Sequence, residues 1–241
     1  MKARKPVLLS LAILSLLHSA AAQQASSGKP TLRDSERILS DIDSRITYAT
    51  DFSAQYTVSQ DRPGRGVTVT KAAMFRRDRD DKYLILITEP SQDKGKGYLK
   101  IAGNMWLYDP SARSFTVTSA RDQFQGTNAR MSDFTHSALA KEYRIVGHGQ
   151  AALGSFSTQV YDLEATVSSV SFPLRRIWVD ENSLIRKAED YSLSGQLMRT
   201  IAIPSYQKIG DRYVAVSIVI VDALAGQRSE EHTSELQSPN T

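Results

Sequence analysis

"GNMWLYDPSAR", residues 103–113, decides how the rest of the chain is read. Successive strand side chains point to opposite faces, so Trp106 and Tyr108 share one face and Met105 and Leu107 the other. A strand with one wet face should alternate apolar with polar. This one is apolar on both sides until Asp109-Pro110-Ser111 ends it. Both faces need a cover, and no catalytic group nearby accounts for the aromatic pair.

Outward from it the period stays at two. Phe52, Ala54, Tyr56 and Val58 alternate with Ser53, Gln55, Thr57 and Ser59, "DRPGRG" (61–66) turns the chain, and "VTVTKAAMF" (67–75) returns. "KYLILI", "GYLKIAGNMWLYD", "SFTVTSA", "YRIVGHG", "STQVYDLEAT", "FPLRRIWVD", "SLIRKAEDYS", "LMRTIAIPSY" and "RYVAVSIVIV" continue the series, with turn signals such as Ser194-Gly195 and Gly210-Asp211 between them. This spacing predicts about eleven short antiparallel strands, a mainly β (α+β) fold of sandwich or barrel type. A single meander of that many twisted strands must curl, which leaves a concave face to fill. Two fillers are available. Thr31 can cap a helix with Asp34 reaching back, and Ile38, Leu39, Ile42 and Ile46 recur at helical spacing to about Thr47. "SDFTHSALAK" (132–141) breaks the strand series and reads as a short helix or ordered loop. The charge run "RRDRDD" (76–81) reads as a solvated hairpin tip rather than a metal site.

The two ends read differently. Lys2, Arg4 and Lys5 precede the apolar stretch Val7 to Leu17, and Ala20-Ala21-Ala22 offers a small-residue cleavage site, so residues 1–22 are expected to be a signal peptide cut after Ala22. The mature protein is then expected to be exported. The chain has no cysteine, so its fold must rest on an apolar core without disulfides. Residues 23–30 form a small polar linker and 31–227 one domain. "RSEEHTSELQSPNT" (228–241) shows no apolar period and resembles the translation of a sequencing adapter, so it is expected to be non-native. Resequencing across the codons for Ala225-Gly226-Gln227 tests that. Between the two ends, 26 basic and 23 acidic residues leave a net charge of +3, too mild to argue for a nucleic-acid partner.

The familiar catalytic patterns are absent from the sequence. It holds no thiol, no H-E-x-x-H and no G-x-S-x-G, no glycine-rich phosphate cradle follows a strand, and His136 and His148 lack ligand spacing. The reading is therefore non-enzymatic, with no metal and no cofactor. The surplus is apolar: Trp106, Tyr108, Phe115, Phe124, Met131, Phe134 and Leu139 gather around the 132–141 break. As a group they are the candidate lining, or lid, of an apolar ligand cavity; singly, each could be ordinary core.

Four stretches then carry a resemblance: "EPSQDKGKGYLKIAGNMWLYDPSARSF" (89–115), "QFQGTNARMSDFTHSAL" (123–139), "FPLRRIWVDENSLIRKAEDYSLSGQLMRT" (172–200) and "YQKIGDRYVA" (206–215). In this order the chain resembles the outer-membrane lipoprotein-sorting proteins, LolA-like periplasmic carriers, in the uncharacterised branch often encoded beside ABC-transporter permeases. The resemblance implies an incomplete, strongly curved antiparallel barrel closed by helices, with a cavity for the acyl chains of lipoproteins or lipids. It implies a monomer that moves such cargo toward the outer membrane, an inner-membrane ABC-transporter permease as a possible partner, and a further strand beyond Gln227. Residues 132–139 would form a lid and "NMWLYDP" a wall. Each buried methylene is worth about 0.8 kcal/mol, so a sixteen-carbon chain needs on the order of 12 kcal/mol of shelter. A lipid-sensing regulator of envelope stress and an accessory subunit of an export complex are the rival readings.

Overall fold

Helix α1 (Leu32–Ile46) opens the described part of the chain, with Thr31 as its N-cap. The Thr31 hydroxyl accepts from the Asp34 N–H at 3.1 Å and donates to the Asp34 carboxylate at 2.7 Å. The computed structural model describes residues 31–48, 50–62 and 66–224. The expected signal peptide, the linker and the 228–241 tail all lie outside those residues. Among the described residues no helix is long and apolar enough to cross a membrane.

Twelve strands follow. Sheet 1 is a meander of β1 (Phe52–Arg62), β2 (Gly66–Arg77), β3 (Lys82–Glu89), β4 (Gly97–Ile101), β5 (Asn104–Asp109) and β6 (Ser114–Thr118). Sheet 2 is a second meander of β7 (Tyr143–Leu153), β8 (Phe156–Ala165), β9 (Leu174–Val179), β10 (Ile185–Tyr191), β11 (Leu197–Ile209) and β12 (Arg212–Asp222). The strand count exceeds the expectation because "GYLKIAGNMWLYD" is a hairpin. Ile101 pairs with Asn104 across Ala102 and Gly103, whose φ angles of 50° and 80° are those of a two-residue hairpin turn.

The single curved sheet expected from the sequence is corrected to two six-stranded sheets, and among the described residues no barrel closes. The meander is interrupted after β6 by residues 119–142, here called the connector. Asp122 accepts from the Thr118 hydroxyl and the Ser119 N–H at 2.7 and 2.8 Å, which bends the chain off the sheet. Two 3₁₀ turns (Phe124–Gly126 and Met131–Phe134) and the four-residue helix α2 (Leu139–Glu142) complete the connector. The 132–141 reading as short helix or ordered loop therefore falls on its second half.

Two apolar cores result. Under sheet 1, Ala72, Met74, Tyr83, Ile85, Ile87, Tyr98 and Met105 pack against Phe124, Ala129, Met131 and Phe134 of the connector. On sheet 2, Ile145, Leu163, Ile177, Val179, Ala188 and Ile201 pack against Leu39 and Ile42 of α1 and Leu139 of α2. Ile220 of β12 touches both clusters. Each sheet's inner face is thus covered largely by non-strand chain.

The "RRDRDD" tip is not wholly solvated. Asp78 is buried, accepts from Arg76 at 2.6 and 2.9 Å, and also accepts from the Tyr48 N–H at 2.8 Å just after α1.

Candidate functional site

Register assigns the quoted strand's two faces. Met105 pairs with Lys100 and Leu107 with Tyr98, and both side chains meet the sheet 1 core. Trp106 pairs with Leu99 and Val117, and Tyr108 with Gly97 and Phe115, on the opposite, outer face. A Cβ on Gly97 would come within 3.2 Å of Leu86, so glycine there keeps Leu86 and Tyr108 close. The inner face is covered by the connector, whereas the outer face is covered only by its own neighbours.

The seven candidate residues accordingly fall into two groups. Trp106, Tyr108 and Phe115 lie on the outer face, the first two half-buried and Phe115 62 % exposed, with the Tyr108 and Phe115 rings 4.9 Å apart. Phe124, Met131, Phe134 and Leu139 are buried on the inner side. Phe124 is the hub of the connector cluster, its ring 4.7 Å from Phe134 and 5.3 Å from Tyr98, and Phe134 lies 6.1 Å from Tyr56. Leu139 belongs to the sheet 2 core instead.

Polar links hold the connector at several places. Asp133 accepts two hydrogen bonds from Arg199 of β11, both at 2.7 Å. Ser132 and Ser171, which follows β8, bring their hydroxyls within 3.3 Å. Asp43 of α1 accepts from Ser137 at 2.5 Å and from the Leu139 and Ala140 N–H groups at 3.0 Å. Arg121 also donates to the Ser168 and Val170 carbonyls.

Behind Asp133 runs a buried row of charges. Arg175, Asp190 and Arg199 are cross-strand partners on β9, β10 and β11. Arg175 Nε donates to Asp190 at 2.6 Å and Arg199 Nε does so at 2.8 Å. Burial works to raise the Asp190 carboxyl, but Arg175 and Arg199 outweigh it and hold it below the usual carboxylate range. For Arg199 burial works against the charge, and the carboxylates of Asp133 and Asp190 more than restore it. Nothing in the catalytic or apolar patterns of the sequence singles out this row. Its signal was parity: each of the three charges lies two residues from a buried apolar position, Ile177, Ala188 and Ile201.

A polar cavity of about 50 Å³ lies beside Arg199, bordered by Arg130, Phe172, Met198 and Asp222. It suits a water or two rather than a chain, since a water's share of liquid volume is about 30 Å³. A shallow groove of about 420 Å³ lies on sheet 1, bordered by Phe75, Leu84, Leu99, Ile101, Arg77 and Lys82. On the inner face the Tyr83 hydroxyl is buried without a hydrogen-bond partner, and burial pushes its phenol above the ordinary range. The connector thus buries its apolar side chains on the inner face of sheet 1, with the Asp133–Arg199 pair at their rim.

A family model described as "-like: Uncharacterized protein" matches residues 79–240. No curated protein matches the chain. Among solved structures, a LolA superfamily protein from Nitrosomonas europaea is similar over 78 % of this chain and 86 % of that one, with 20 % identity and a TM-score of 0.68. A domain assigned to the outer-membrane lipoprotein-sorting proteins from Vibrio parahaemolyticus matches over 81 % and 88 %, with 18 % identity and a TM-score of 0.72. A DUF1329 family protein from Desulfovibrio piger covers the same shares at 15 % identity, also with a TM-score of 0.72. At these identities the likeness is one of fold.

Proposed function

From its membership of the uncharacterised family whose model matches residues 79–240, and from its LolA-like fold, we propose that the chain is a periplasmic carrier that shelters acyl chains of lipoproteins or lipids between its two sheets and moves them toward the outer membrane. One observation carries the reading. The apolar inner face of sheet 1 is covered by Phe124, Met131 and Phe134, which sit on short 3₁₀ turns rather than on a strand or long helix. Such a cover exchanges readily for another apolar surface, because acyl methylenes entering as those side chains leave preserve the burial.

The loaded and empty forms would differ in the connector. In the empty form the three plug side chains occupy the site, and the Asp133–Arg199 pair fastens them. Loading swings residues 119–138 outward, and the chain seats against Met74, Ile85, Ile87 and Tyr98. Release reverses the exchange when an acceptor binds the cargo more tightly. The buried Tyr83 hydroxyl would donate a hydrogen bond to an ester or amide oxygen of the cargo. No covalent step is required.

The lack of cysteine allows a clean test. Ser132→Cys with Ser171→Cys places two thiols where hydroxyls lie 3.3 Å apart. Lipid-free protein should take up a labelled lysophospholipid when the pair is reduced and fail to do so when it is oxidised, with reductant restoring uptake. Equal uptake in both states would remove the connector from the mechanism. Native mass spectrometry of protein purified gently from a periplasm then identifies the cargo.

A further inference from the structure

The outer face of sheet 1 takes no part in that exchange. An antiparallel sheet with a solvated face should be polar on that side. Here register lines up apolar side chains across five strands: Phe75 on β2, Leu84 on β3, Leu99 on β4, Trp106 on β5, and Phe115 with Val117 on β6. Phe75, Phe115 and Val117 are 49 %, 62 % and 79 % exposed. Contiguous exposed apolar surface of this breadth marks an interaction site.

Charge points to the partner. Residues 52–118, which build sheet 1, hold eleven Lys and Arg against seven Asp and Glu, a net +4, whereas residues 143–222 of sheet 2 hold eight of each. The full chain's formal charge is +4, so the excess sits in the half that carries the apolar face. Among the described residues, Lys94 and Arg113 are exposed with no carboxylate partner. They sit at the same end of the sheet, where Gly95 approaches Pro110. Arg77 and Lys82 border the groove near the other end, but there Arg77 is paired with Asp51, which also borders the groove, and Asp80 lies 3.7 and 3.9 Å from the two cations, so the unpaired charge is that of Lys94 and Arg113. Apolar and aromatic side chains flanked by cations match a bilayer interface bearing negative headgroups.

We propose that the outer face of sheet 1 is a docking surface for a bilayer containing anionic phospholipid. Phe75, Phe115 and Val117 enter the headgroup layer, Trp106 and Tyr108 lie at its edge, and Lys94 and Arg113 face the phosphates. The inner face would then remain free for cargo while the protein rests on a membrane.

Flotation of the full chain with vesicles of phosphatidylethanolamine and phosphatidylglycerol at three to one, against neutral phosphatidylcholine vesicles, tests this. Binding should favour the anionic vesicles at least tenfold and weaken in high salt. Phe115→Glu with Val117→Glu should lower it at least tenfold, and Lys94→Ser with Arg113→Ser several-fold. Val216→Glu with Ile218→Glu, at exposed positions of sheet 2, should leave it unchanged. The four substituted positions of sheet 1 are exposed, and unchanged thermal unfolding verifies that the variants fold. Absence of binding, or equal binding by the Phe115/Val117 variant, overturns the proposal. So does concentration-dependent self-association that this variant abolishes, which would assign the face to a second copy. Uptake of monomeric lysophospholipid without vesicles reads the inner site separately, so failure here leaves the carrier reading standing.

Discussion

Sheets 1 and 2 have the same strand number and the same meander order, yet they solve opposite problems. On sheet 2 the outer face of β7, β8 and β9 carries cross-strand ion pairs, Arg144 with Glu164 and Arg176 with Asp162, as a solvated face should, and exposed apolar side chains collect on the last strand, β12. Its inner face combines an apolar core with the Arg175–Asp190–Arg199 row and is roofed by a fifteen-residue helix. Sheet 1 is apolar outside and inside, and its roof is two turns of 3₁₀ helix. On the carrier reading proposed above, the difference separates a fixed half from an adaptable one. Charges in register permit one arrangement, while apolar surface accepts any apolar partner of the right size.

The strongest way to break that contrast is at Asp190. Removing it in Asp190→Ala leaves two buried guanidinium groups facing each other, and truncating one member of a buried ion pair costs about 3–5 kcal/mol. Urea unfolding should register a loss of that order. A loss under 1 kcal/mol would mean that water reaches the row and that sheet 2 is not the rigid half. The same carboxylate sets an acid limit. Its folded pKa is depressed, so its contribution is full above the unfolded value near 3.8 and disappears as pH falls through the lower folded value. Stability should be flat from pH 7 to 5 in this respect and fall below about pH 4, with a shallower fall in Asp190→Asn.

Next in size are the two roofs. Phe124→Ala and Leu39→Ala both remove fully buried side chains, and such truncations cost about 3–5 and 2–5 kcal/mol respectively. Stability alone does not separate them; loading does. Phe124→Ala should change lipid uptake per folded molecule, because it removes part of the plug. Leu39→Ala should not. Equal uptake in the two variants would place the cargo site elsewhere.

The sequence made the contrast only half visible. Period-two alternation identified the strands, and the apolar sides of "NMWLYDP" demanded two covers, of which the structure supplies the connector on the inner face alone. The helix at 32–46 and the break at 132–141 were legible because their spacing departs from two. Three features were not legible, each for a physical reason. Ala102-Gly103 turns a hairpin without an Asn or Asp to announce it. The separation into two sheets depends on which strands hydrogen-bond, a non-local property of the connector. The grouping of Trp106, Tyr108 and Phe115 with Phe124, Met131 and Phe134 followed their nearness in the chain. Register sends the first three to the other face, because a single residue's shift in parity reverses a strand side chain.

A smaller effect sharpens the hinge between the halves. Asp133→Asn keeps the shape of the connector's clasp but removes its charge from Arg199, which retains Asp190. A charge-assisted hydrogen bond is worth about 1.5–3 kcal/mol, so the loss should fall within or below that range. Its signature is local: amide exchange should quicken across 119–138 while β9 and β10 keep their protection. Uniform quickening over the whole chain would show that the connector does not open independently of the sheets.

The smallest expected effect is the most informative about sheet 1's outer face. Val117 is 79 % exposed, and substitutions at such positions away from packed features usually stay within about 0.5 kcal/mol. Val117→Thr keeps the β-branch and strand preference and replaces one methyl by a hydroxyl. Its thermal midpoint should match that of the parent. If it does, the apolar outer face contributes nothing to folding, and its apolar character must serve a contact made by the folded protein. A loss of 2 kcal/mol or more would instead mean that Val117 is packed in the native state, through a second copy or through chain beyond residue 224. The face would then be core rather than surface, and the two sheets would differ in what covers them rather than in what they bind.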